Sequence, residues 1–401
     1  MYVAMAVLAT GTCLIMYGQE SDNSGGTHSA QITCLTLLMW MLPLKRLLRP
    51  AAPIYRPSHT IVFYSLYFIW GCVTTLFSEM GRVQTGDVIY HFAWTLLPLF
   101  VLGVTYYYIL SHGASRAMLW AFMLTTVLFL VTYASMYDTD NLLNNIHLGS
   151  SYYALFMLPL VMCFPNKLVR YGGVLIVAVA VFSSAKRGGV LALLGGTLAY
   201  VVVSQRVSKQ SALVKFFIMV LVLALLTWVF IVMGTAGDND VFERFENIDQ
   251  DNGSGRTLVW AEVMRLIHNE DAQAYIFGNG YNTVVEASRL GLSAHNDYLE
   301  AWYDYGIIGL LLYIVSVVSL MFSTLRAVVK RYRYAAAMSM NMVNIVVLSM
   351  ISHIAIYYWM NMVMLCVAFF VGDMGYEQMH PHETEAETNS ATNSGGEAAT
   401  A

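Results

Sequence analysis

The chain has 401 residues, 58% of them hydrophobic and only 11% charged, with a mean hydropathy of +0.58. A soluble domain carries about 25% charged residues, so polar side chains are too few here to cover a globule. The net charge of −4 offers no basic surface for nucleic acid. Apolar runs long enough to cross a bilayer recur from end to end, which reads as spanning helices. A membrane barrel would instead alternate polar and apolar residues over roughly ten-residue strands. The expected fold class is all-α, a polytopic integral membrane protein.

In chain order, twelve candidate spans lie near 1–18, 32–44, 59–78, 88–110, 118–137, 150–164, 171–185, 188–204, 212–234, 306–325, 338–356 and 359–374. The first lacks the basic start of a signal peptide and reads as a span. With the N-terminus inside, the inner loops take most of the lysines and arginines, at 45–56, 116, 167–170, 206–215 and 326–333. That satisfies the positive-inside rule. The five cysteines, Cys13, Cys34, Cys72, Cys163 and Cys366, sit in apolar stretches without metal-ligand spacing and read as packing residues.

Outer loops are short and polar except for 235–305, and long loops in compact domains are commonly functional. A helix is expected over 256–268, a tight turn at 276–280 and a second short helix over 283–290. Residues 1–376 thus form one transmembrane unit carrying the outer loop 235–305. Residues 377–401, rich in Glu, Thr, Asn, Ser, Gly and Ala, read as a disordered cytoplasmic tail.

Three positions carry chemistry. Arg187 follows Lys186 in SSAKRGGVLAL, between two apolar runs and on the cation-poor side. An arginine there either snorkels to headgroups or faces a wet cavity and meets an anion. Gly188 and Gly189 admit a close neighbour. Arg256 opens the loop helix after Gly-Ser-Gly. It is either an exposed surface arginine beside a flexible Gly-Ser turn, or its guanidinium fork and the helix N-terminus together form a site for phosphate oxygens. His295 lies among Asn296, Asp297 and Glu300, in reach of general-base work. Tyr298, Trp302, Tyr303 and Tyr305 form either an interfacial aromatic belt or a surface for sugar rings. Asp-x-Asp occurs at 138–140, 238–240 and 249–251, too often to mark a metal site.

The spacing His295-Asn296-x9-Gly306-x-x-Gly309 resembles the signature of the O-antigen ligase and polymerase family of bacterial membrane glycosyltransferases. Arg187-x3-Leu191 is similar to its second motif. Ser254-Gly255-Arg256 with Trp260 is similar to its third, and residues 276–280 to the turn before the histidine. The resemblance spans about residues 130–375. It implies a C-type glycosyltransferase of the bacterial inner membrane, with its active site facing the periplasm. Such enzymes pass a glycan from undecaprenyl diphosphate to lipid A–core or to a growing glycan. Arg187, Arg256 and His295 take the catalytic positions. Lys186, Asn296, Tyr298, Trp302 and Tyr303 are the expected substrate-binding residues, and neither cofactor nor metal is expected. Two alternatives are a repeat-unit polymerase of the same family and a flippase for lipid-linked sugars. The flippase would favour paired broken helices in corresponding halves, and the sequence has no such pair.

Overall fold

The computed structural model describes residues 2–20, 35–44, 56–79, 85–137, 150–184, 186–207, 255–355 and 359–381. Among these residues all regular structure is helical. The helices are α1 (Tyr2–Glu20), α2 (Leu35–Leu44), α3 (His59–Glu79), α4 (Thr85–His112), α5 (Arg116–Met136), α6 (Ser150–Val161), α7 (Lys167–Ser183) and α8 (Arg187–Val207). After them come α9 (Arg256–Asn269), α10 (Ala272–Phe277), α11 (Thr283–Ala287), α12 (Asp297–Val329), α13 (Ala335–Ile351) and α14 (Met360–Met379).

Among the described residues five helices are long and apolar enough to cross a membrane: His59–Phe77, Trp94–His112, Arg116–Met136, Arg187–Arg206 and Asp297–Val329. Shorter apolar helices occupy Val3–Ile15, Leu35–Leu44, Ser151–Val161 and Ala335–Ile351. The expected span at 212–234 and the loop segment 235–254 lie outside the described residues, as does Cys34. Cys13, Cys72, Cys163 and Cys366 are buried.

Burial sorts the helices into inner and outer positions. Every residue of α14 from Met360 to Met374 is buried, as expected of a helix that is apolar all round. It packs against α4, α6 and α13. Gly372 permits this, since a Cβ there would lie 3.0 Å from the Tyr106 carbonyl oxygen of α4. Other helices keep one apolar stripe outward. On α5 the exposed residues are Trp120, Leu124, Val127 and Val131, one face at helical spacing. On α12, Leu311, Val315, Val318, Phe322, Leu325 and Val329 do the same. Such ridges on every side suit a hydrocarbon surround.

One end of the bundle is closed by a buried carboxylate. Asp373 near the end of α14 accepts from Arg333 Nη2 at 2.7 Å, Tyr332 Oη at 2.7 Å and the Ala114 amide at 3.3 Å. That ties the α4–α5 and α12–α13 turns to α14. The helix runs on to Met379, past the expected start of the tail at 377, and residues 382–401 lie outside the described set.

Helices α9–α11 form a small unit on the opposite end, seated on α12. Its seat is a break in α12. Gly306 has φ 68 and ψ −176, a conformation open essentially to glycine alone. The break releases three carbonyls, and each finds a donor. Asn279 N donates to Tyr303 O at 3.2 Å, Gly280 N to Asp304 O at 2.7 Å and Trp70 Nε1 to Tyr305 O at 2.9 Å. Gly278, at φ 88, abuts the same peptides: a Cβ on it would meet Asp304 O, and one on Gly306 would meet the Ile276 carbonyl. The Asp304 carboxylate then caps α11, accepting from Asn282 N at 2.7 Å, Thr283 Oγ1 at 2.9 Å and Val284 N at 3.2 Å.

The expected helix at 256–268 is α9. The expected turn at 276–280 begins later, because Ile276 and Phe277 still belong to α10. The expected helix at 283–290 stops at Ala287. Gly306→Ala is expected to cost more than the ~1–3 kcal/mol of a strained backbone residue, since the methyl also meets the Ile276 backbone. Membrane abundance and the melting temperature of purified protein check this, and a parent-like melt would contradict it.

Candidate functional site

His295 sits on a turn fixed from several sides. Its own φ is 50, a left-handed conformation that a non-glycine residue keeps only when its surroundings over-determine it. Trp260 Nε1 of α9 donates to the preceding carbonyl, Ala294 O, at 2.9 Å. Asn296 follows as the cap of α12, its Oδ1 accepting from the amides of Tyr298 at 3.0 Å and Leu299 at 3.2 Å. The other end of that amide, Nδ2, donates to Met350 O at 3.2 Å. Asp297 is fully buried. Its carboxylate accepts from Ile354 N at 2.7 Å, Ala355 N at 2.9 Å and Tyr313 Oη at 2.9 Å.

The cations come from two other elements. Lys186, at the α7–α8 corner, holds its Nζ 4.4 Å from the centre of the Tyr152 ring and 5.4 Å from that of Trp359. Those rings lie 5.0 Å apart. Two aromatic faces thus hold an ammonium that has lost much of its water. Burial pushes the Lys186 pKa down to about 7. Arg187 is the next residue, opens α8 and is 7% exposed. Gly188 and Gly189 run close under Tyr152, where a Cβ would come within 3.1 Å and 2.8 Å of its ring and hydroxyl atoms. Arg256 opens α9 behind Gly255, at φ 75, with no side-chain cap on that helix.

Lys186, Arg256 and His295 share one electrostatic environment. Burial, then Arg256, then Lys186 hold the His295 pKa down to about 4. The Arg256 charge also bears on Tyr152. One end of the bundle therefore brings together α6 (Tyr152), the α7–α8 corner (Lys186), the start of α9 (Arg256) and the His295 turn, with Arg187 the residue after Lys186. The arrangement is rich in positive charge and in donors, with a neutral imidazole beside them. It suits an anionic group arriving next to a hydroxyl.

The aromatic residues of the stretch divide. Tyr298 packs its ring against Tyr313 at 5.6 Å, and Trp302 against Tyr275 of α10 at 5.6 Å. Tyr303 packs its ring into the core of the α9–α11 unit with Val259, Val263, Ile267 and Val284. Tyr305 is buried beside Tyr67 at 5.7 Å. Residues 298, 302 and 305 recur at i, i+4 and i+7 on one face of the helix and 303 is turned from it, and each of the three rings on that face packs against a different neighbour, Tyr313, Tyr275 and Tyr67.

Sequence reasoning missed Tyr152, His353 and Trp359. His353 lies with its ring centre 4.5 Å from that of His295. A lone histidine at the end of an apolar run carried no mark. All three Asp-x-Asp stretches lie outside the described residues. Among the described residues no three His, Cys, Asp or Glu side chains gather closely enough to hold a metal ion.

A family model described as O-Antigen ligase matches residues 172–314. The matched segment carries Lys186, Arg187, Arg256 and His295 and ends within α12. No curated protein matches the chain.

Proposed function

We propose, for a chain that belongs to the O-antigen ligase family of bacterial membrane proteins and so to glycosyl transfer from lipid-linked glycans, a specific reaction. It moves a glycan from undecaprenyl diphosphate to a hydroxyl of lipid A–core, on the periplasmic face of the inner membrane. The observation that supports this reading is the convergence of the Arg256 and Lys186 charges on a half-buried, neutral His295.

The acceptor oxygen forms a bond to the anomeric carbon as the bond from that carbon to the diphosphate breaks. The departing diphosphate gains negative charge, and Arg187 and Arg256 receive it, with Lys186 supporting them. One cation–anion contact at 4 Å is worth about 4 kcal/mol at an effective dielectric of 20. It lowers the barrier only by the part that tightens as the bond breaks. His295 accepts a hydrogen bond from the attacking hydroxyl and so aims it. The imidazole takes the proton late, once bond formation has made that hydroxyl acidic, and passes it to water or to the released diphosphate. Tyr298 and Trp302 border the acceptor side. Asn296 serves by shaping the turn, since both ends of its amide are bonded within the protein.

The test is purified protein in vesicles with an undecaprenyl diphosphate glycan and lipid A–core, the products resolved by size. One glycan joined to the core supports the proposal. A ladder that lengthens on the carrier lipid instead makes the enzyme a polymerase. Redistribution of donor across the vesicle without a new glycosidic bond makes it a transporter. Turnover is expected to survive chelation of divalent cations, and its loss would remove the metal-free clamp.

A further inference from the structure

Chain segment 349–355, the last turn of α13 and the residues that leave it, is held against the His295 turn by the two residues that follow the histidine. Asn296 Nδ2 reaches Met350 O at 3.2 Å on one side of His353. Asp297 receives Ile354 N at 2.7 Å and Ala355 N at 2.9 Å on the other. The same carboxylate accepts from Tyr313 Oη, which lies 2.6 Å from Ser349 Oγ. A fully buried carboxylate costs several kcal/mol of desolvation unless such bonds repay it. Here two of them hold the segment directly and the third, from Tyr313, reaches it through Ser349.

What that segment delivers is the His353 ring. Its centre is 4.5 Å from that of His295, the planes at 37°. Its Nδ1 lies 3.1 Å from Ser293 Oγ, two residues before His295. Its far side meets the Trp359 ring at 6.0 Å, the same ring that lies under Lys186. A residue that only filled space here would have no need of a nitrogen. The nitrogen ties His353 to the strained turn that carries His295.

We propose that His353 is a positioning residue for glycosyl transfer: its ring is the wall that sets the plane of the His295 imidazole and turns one edge of it to the acceptor hydroxyl. This rests on the reading of His295 as the group that meets the acceptor. The backbone of His295 alone does not fix its side-chain direction. Trp260 holds the peptide before it, Asn296 the helix after it, and His353 the ring itself.

The experiment uses the full chain in nanodiscs, as His353→Ala, His353→Phe and Ser293→Ala. Two quantities are read. One is the rate at which diethyl pyrocarbonate modifies His295, followed by mass spectrometry. The other is kcat and donor KM with lipid A–core as acceptor. In His353→Ala, His295 is expected to label at least about threefold faster and kcat to fall about tenfold or more, with donor KM within about twofold, the pattern of a misplaced reacting group. His353→Phe keeps a flat ring and is expected to label near the parent rate, with kcat between the two. Ser293→Ala is expected to shift labelling in the same direction as His353→Ala, and it carries the test if that variant does not accumulate. Unchanged His295 labelling in His353→Ala and Ser293→Ala would overturn the proposal, as would a rise in KM alone. If labelling shifts as expected while His295→Ala keeps full turnover, the ring wall stands and the assigned role of His295 falls.

Discussion

Arg256→Ala is expected to lower transfer by about 10²–10³-fold, the usual cost of removing one preorganised donor from a developing anion. The protein should still accumulate. Arg256 stands at the open start of α9, while the core of that unit is built by Val259, Val263, Ile267, Val284, Ala294 and Tyr303. Arg187→Ala should lose a comparable factor. Arg187→Lys should recover little, because a point charge does not reproduce a planar fork against two phosphate oxygens. The double variant should fall short of the product of the two single losses, since both groups hold the same diphosphate. Initial rates at saturating donor, normalised to folded protein, check all three. Near-parent rates in both alanine variants would end the idea of a guanidinium clamp.

His295→Ala is expected to cost about 10²–10⁴-fold in kcat, the range of general acid–base groups. The pH profile carries the sharper information. His295 is surrounded by Arg256 and Lys186 and by the His353 ring, and its pKa is held at about 4. It therefore stays neutral, and able to accept a hydrogen bond, until the medium falls below about pH 5. Lys186 behaves in the opposite sense. With its pKa near 7, its charge is present below that value and is lost as pH rises through it, which weakens the hold on an anion. Activity is thus expected to be greatest between about pH 5 and 7, with an alkaline limb that shifts upward or disappears in Lys186→Arg. An acid limb near 6.5, the ordinary imidazole value, would contradict the depressed histidine.

How much of this was legible in the sequence differs by layer. Hydropathy was enough for an all-helical membrane protein, because spanning length and composition are local properties. The number of spans was not open to the same reasoning. Span 212–234 lies outside the described residues, and α6 and α13 are shorter than a full crossing. Arg187, Arg256 and His295 stood out because a charge or an imidazole at the edge of an apolar run is expensive and so informative. His353 did not, since its meaning comes from α13 meeting α12, a long-range contact with no local trace. Tyr303, an expected substrate contact, has its ring packed with Val259 and Val263, a long-range neighbourhood with no local trace in the sequence. Asn296, an expected substrate contact, also caps α12 and bonds the Met350 carbonyl, and the second of these partners has no local trace in the sequence.

The interlocked glycines at 278 and 306 bear on how this protein can be recombined with its relatives. The outer unit ends, mechanically, not at the mouth of α12 but below the break, where Tyr303, Asp304 and Tyr305 hand their carbonyls to Asn279, Gly280 and Trp70. A chimera that exchanges α9–α11 alone would separate donors from acceptors that fit only as a set. Exchanges that carry residues 256–309 as one cassette, with the Trp70 contact preserved, are expected to fold; those cut at residue 296 are not.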